Sequence, residues 1–146
     1  MKKAMTCLAG AAALALATAG TAAAQPLAPV FQAPAGAFGC PPTGTGYAPP
    51  GGGWGPVSQS DCGVAGAPGV KLGYSYTSRS DASPIHASAY HFTNLDGQNP
   101  GPAVWTEFGA GPSGQSGLLV WGNSLATPQI KFQSVNVLGA IVDWQA

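Results

Sequence analysis

Two histidines, a few scattered acids and two serines set among glycines are the residues whose types admit catalysis. His86 and His91 stand five positions apart. On an extended strand that offset puts them on opposite faces, so they cannot share a metal ion without a bulge. Residues 111–117 read Gly-Pro-Ser-Gly-Gln-Ser-Gly, yet neither Ser113 nor Ser116 has glycines two positions to either side, as a nucleophile elbow needs. Hydrolysis by paired carboxylates needs two acids across a cleft. Asp96, Glu107 and Asp143 are the realistic sources, and nothing in their spacing pairs them. Asn94, Asp96, Gly97 and Asn99 echo a calcium loop, with too few carboxylates for one. A secreted hydrolase built on His86, Asp96 and Glu107 stands only as an alternative, and no cofactor is expected.

The aromatic residues carry more information. Trp54, Trp105, Trp121 and Trp144, with Tyr74, Tyr76 and Tyr90, are many for so short a chain. Such rings either fill a core, where they bury large areas, or line a face where flat rings stack on sugar or peptide. Trp105 is the first candidate for an exposed ring, because it alternates with Val104 and Phe108 and stands two residues from Glu107. Tyr90 is the second, since His86, Ser88 and Tyr90 share one strand face. The candidate ligand-binding residues are therefore Trp105, Tyr90, His86 and Glu107.

The elements that must carry these side chains read as strands. From residue 70 to 77, Val70, Leu72, Tyr74 and Tyr76 alternate with Lys71, Gly73, Ser75 and Thr77, the period of a half-buried strand. Residues 85–92, 103–108 and 118–121 predict three more, separated by stretches rich in Gly, Pro, Asn and Asp. Residues 109–117 read as a loop. The longest β-rich run is residues 128–144, where Ile130 and Phe132 fall on one parity and Val135 and Val137 on the other. A bulge near Ser134 would return all four to one face, and a bend is expected at Gly139. The fold class expected is all-β, a small antiparallel sandwich with a barrel as the alternative, preceded by an irregular Pro/Gly-rich segment.

The N-terminal part predicts export. Met1-Lys2-Lys3, an Ala/Leu-rich core and Ala22-Ala23-Ala24 have the order of a signal peptide over residues 1–24. The apolar core is too short for a stable membrane span. Without that segment the chain keeps Lys71, Arg79 and Lys131 against Asp61, Asp81, Asp96, Glu107 and Asp143, a formal charge of −2. No basic cluster remains to neutralise phosphates, which argues against nucleic acid. Residues 25–64 form the Pro/Gly-rich leader, containing Cys40 and Cys62, and residues 65–146 the compact domain. In an oxidising compartment two cysteines predict one disulfide, contributing roughly 3 kcal/mol by loop closure. The expected function is that of an exported, non-catalytic binding or envelope-associated protein, periplasmic or extracellular. Its expected partner is a polysaccharide or another envelope protein. An outer-membrane β-barrel is the remaining alternative.

Overall fold

The alternation from Lys71 onward becomes strand β4 (Lys71–Ser78). Leu72, Tyr74, Tyr76 and Ser78 are buried, and the residues between them are more exposed. A computed structural model describes residues 40–80 and 84–146 of the chain. The expected signal peptide, the first part of the leader and Asp81 lie outside the described residues.

Among the described residues ten strands are formed. One sheet has the order β1 (Thr43–Ala48), β10 (Ala140–Gln145), β4, β7 (Ser113–Val120). The other has the order β2 (Ser58–Gln59), β9 (Gln129–Ser134), β5 (Ile85–Phe92), β6 (Ala103–Gly111). A two-stranded ribbon joins β3 (Val64–Ala65) to β8 (Leu125–Ala126). All pairings are antiparallel. The fold is a sandwich; the sheets stay open and no closed barrel forms. The barrel alternative fails because the space between the sheets is filled by side chains: Tyr74, Tyr76, Ile85, Ile130, Phe132, Val142 and Trp144 pack there, each at most 3% exposed. No described helix is long and apolar enough to cross a membrane.

Three stretches differ from the sequence expectation, each for a physical reason. First, the later part of the Pro/Gly-rich segment contributes strands to the domain, with all six residues of β1 pairing along β10. Its Thr-Gly-Thr-Gly alternation sets the missing side chains inward. A Cβ on Gly44 would lie 2.9 Å from the Trp144 ring, and one on Gly46 would meet Phe132. The absent side chains let two large core rings lie against the backbone.

Second, residues 109–117 are strand, not loop. β6 runs on to Gly111, the hairpin turns at Pro112, and β7 starts at Ser113. Each strand carries a bulge there, between Phe108 and Gly111 and between Gln115 and Leu118. Gly109 (φ 73°) and Gly117 (φ 68°) supply the left-handed conformation the bulges use. Since β6 and β7 belong to different sheets, the hairpin closes one edge of the sandwich.

Third, the parity break after Phe132 is not a bulge. The chain leaves the second sheet at Ser134 and enters the first at Ala140. Val135, Val137 and Leu138 stand exposed in that crossing, with Val137 85% accessible. The chain bends at residues 136–138, just before the Gly139 where a bend was expected, and β10 begins at Ala140.

A disulfide joins Cys40 to Cys62, with Cα atoms 6.1 Å apart. Its ring contains β1 and β2, one on the edge of each sheet.

Candidate ligand-binding face

The outward face of the second sheet assembles from strand alternation and register. In β5 the odd positions Ile85, Ala87 and Ala89 are fully buried in the core, so His86, Ser88 and Tyr90 point outward. Partners directly opposite in an antiparallel pair share a face. Tyr90 lies opposite Trp105 and Ser88 opposite Glu107 on β6. On the other side, Ser88 lies opposite Lys131 and His86 opposite Gln133 on β9. Trp54 is brought to the same face by a single bridge to Gln133. The Gln133 side-chain amide donates to the Gly52 carbonyl, tying that segment down next to Trp54. All four candidate residues thus stand on one face: Trp105 and Glu107 exposed, Tyr90 and His86 half-buried.

The rings there are ordered relative to one another. Tyr90 and Trp105 meet edge to face with centroids 5.6 Å apart, and Tyr90 meets Phe92 likewise at 5.4 Å. Edge-to-face pairs at these separations are attractive, about 0.5–1.5 kcal/mol each beyond area burial. The Lys131 ammonium lies 4.9 Å from the centroid of Trp54 and 5.0 Å from that of Trp105. Its side chain starts on β9 and reaches across β5 toward Trp105 on β6; Ser88, opposite Lys131 on β5, is only 1% exposed despite pointing outward. The result is a shelf of three rings with a cation held between two of them. Such a shelf can stack a pyranose ring, with Glu107 and His86 at hand for its hydroxyls.

Other candidates are not brought together. His86 and His91 do face opposite ways. The His91 ring nitrogens lie 2.9 Å from the Phe92 carbonyl and 2.7 Å from the Thr106 hydroxyl. Asp96 sits in the loop beyond Phe92, at the far end of β5 from His86, about 20 Å along the strand by its rise per residue. The loop closes on itself: the Asn94 side-chain Oδ1 accepts from the Gly97 N–H and its side-chain Nδ2 donates to the Asn99 carbonyl. Those atoms are therefore engaged in a turn rather than turned toward a cation. The Ser116 hydroxyl accepts from the Tyr74 N–H and donates to the Gly117 carbonyl.

The opposite face is unlike the shelf. An open trough of about 710 Å3 on the first sheet is lined by Thr43, Thr45, Ser75, Thr77, Asp143 and Gln145, among others. Its lining is mainly hydroxyl, amide and carboxylate; the two rings that border it, Tyr76 and Trp144, are buried, and the exposed Tyr47 of the same sheet lies outside its lining. Arg79 holds Asp143 through two bonds of 2.8 Å, and the Thr45 hydroxyl donates to the same carboxylate. Those hydrogen bonds set the Asp143 pKa below the usual carboxylate range. Between the sheets, burial pushes the Tyr74 phenol well above its usual pKa, and it donates to the Tyr90 carbonyl at 2.7 Å. The core thus fixes the backbone that carries the shelf.

Trp54 belonged to the aromatic set read from sequence but not to the four candidate ligand-binding residues, and Lys131 belonged to neither. Trp54 lies in a stretch whose composition hides its bridge to β9. Lys131 was legible in part, because Ile130 and Phe132 inward imply Lys131 and Gln133 outward.

The chain matches no known family. No curated protein and no solved structure matches it either.

Proposed function

We propose that this chain is an exported, non-catalytic binding protein of a cell envelope or secretome, and that its ligand is a polysaccharide stacked on Trp105, Tyr90 and Trp54. One observation carries the reading: three rings gather on an outward sheet face although the core is already filled by other aromatics. Burial accounts for Trp121 and Trp144, which are 0% and 3% exposed; it does not account for Trp105 at 37%. Flat rings with hydroxyl-bonding neighbours at their edges suit sugar rings, which present an apolar face and a polar rim. The arrangement lends less to hydrolysis. Among the described residues Glu107 shares its face with no second carboxylate, since Asp143 is on the other sheet and Asp96 beyond the end of β5.

The test is retention on insoluble polysaccharides together with tryptophan fluorescence on titration with soluble ones. The wild-type chain is expected to be retained and its emission to change, and Trp105→Ala to lose at least about tenfold in affinity, within the range measured for one stacked aromatic. Thr77→Ala, on the opposite sheet, serves as control and should bind as wild type. Loss of binding in Thr77→Ala with none in Trp105→Ala would move the site to the trough and end this reading.

A further inference from the structure

The cation on the shelf has an unusual setting. Among the described residues the ion pair formed is Arg79 with Asp143, on the other sheet. The Lys131 side chain makes no ion pair or hydrogen bond with a described residue; its partners are two indoles. Glu107 is the nearest acid on that face by register, opposite Ser88, which in turn lies opposite Lys131. Two strand spacings, about 10 Å, separate their backbones. A lysine on a wet surface ordinarily keeps its stem loose and its charge in water. Here two cation–π contacts hold it, each contributing about 0.5–1 kcal/mol or more. Its three N–H donors have no acceptor among the described residues.

The position of that charge matters. Since the ammonium lies over one face of each indole, within 5.0 Å of both ring centroids, a sugar stacking on either of those faces must push it aside, which leaves the charge at that sugar's rim. A neutral sugar offers an ammonium only hydroxyl oxygens. A carboxylate or sulfate offers a full charge and shorter, stronger bonds. Glu107 then sets direction, because it repels an anionic substituent from its own end of the shelf and accepts from hydroxyls there.

From this we infer that the ligand is an acidic polysaccharide, its rings stacked on the shelf and its anionic groups bound by Lys131, which makes Lys131 the residue that determines specificity. The inference rests on the binding function proposed above, and its test separates the two. Polygalacturonate, a sulfated galactan and a neutral galactan share one kind of sugar and differ in the acidic group. The wild-type chain is expected to bind at least one acidic polymer about tenfold more tightly than neutral galactan, as one charge-assisted hydrogen bond would give. Which acidic polymer wins tells carboxylate from sulfate. The preference should shrink as salt is raised.

Lys131→Met keeps the stem and should erase the preference while leaving weak binding to neutral galactan. Lys131→Arg keeps charge and ring contacts and should retain the preference. Equal binding of all three polymers, unchanged in Lys131→Met, overturns the specificity but leaves the shelf as the site. Retention of none overturns both.

Discussion

The two outward faces of the sandwich are built by the same rule and differ in how their rings and cations are placed. On the first sheet the cross-strand rows are Tyr47 with Ile141, both exposed, then Thr45, Asp143, Thr77, Ser113, then Thr43, Gln145, Ser75, Gln115. On the second they are Trp105 with Tyr90, then Glu107, Ser88, Lys131, then His86, Gln133, Trp54. Inward positions in both are constrained by packing, so they say little about function. Outward positions are free of that constraint. Hydroxyls and amides there are what a poorly charged chain needs for hydration, as it has little repulsion to keep it dispersed. Rings there add nothing to solubility, and their collection on one face needs another cause. Even the cations differ: Arg79 is neutralised by a carboxylate, and Lys131 is held by rings.

The largest expected effect tests whether both faces depend on one core. Trp144 is inward on β10, lies over Gly44, and donates its indole N–H to the Ser58 hydroxyl at 2.8 Å. That hydroxyl donates in turn to the Thr45 carbonyl, so one side chain links β10, β2 and β1. Trp144→Ala should lose about 3–5 kcal/mol in urea unfolding, the usual range for a buried aromatic. Both faces should disappear in one transition; a variant that lost only the first sheet's hydrogen-exchange protection would show the sheets to be separate units. The next effect concerns the disulfide. Replacing Cys40 and Cys62 by Ser should lower stability by roughly 2–4 kcal/mol. Because the ring holds β1 and the Trp54 bridge, exchange should quicken in β1 and near Trp54 before it does in β5. Uniform quickening would deny the ring any part in placing Trp54.

How much of this was legible depended on which constraint acted at each residue. Period 2 in residues 70–77 revealed β4 because every second residue is a large apolar one. The same parity argument put Trp105, Tyr90, His86 and Glu107 on outward faces, and antiparallel register then placed them together. Register itself was not legible, since it is set by partners distant in the chain, such as Ser134 opposite Ile85. β1 was hidden because its inward residues are glycines, whose role is to make room for rings belonging to other strands. β6 and β7 were obscured by the glycines of their bulges. The apolar pair Val135 and Val137 misled for the converse reason: parity assumes one sheet, and the chain changes sheets there.

The smallest expected effect separates the two cations. The hydrogen bonds from Arg79 and Thr45 lower the Asp143 pKa in the folded chain, below the value near 3.9 of an unfolded aspartate. A depressed carboxylate contributes stability that is present above the unfolded value and is lost as pH falls through the folded one. Urea unfolding of the wild-type chain between roughly pH 2 and 5 should therefore show an acid limb containing this contribution. Asp143→Asn should flatten that limb slightly, and added salt should mask the difference, because the pair is exposed and screened. Lys131→Met should leave the limb unchanged, since no carboxylate among the described residues is paired with that lysine. If Lys131→Met flattens the limb as much as Asp143→Asn does, Lys131 is neutralised by an acid in solution. The two faces would then differ in their rings alone, and the charge on the shelf would no longer be free for a ligand.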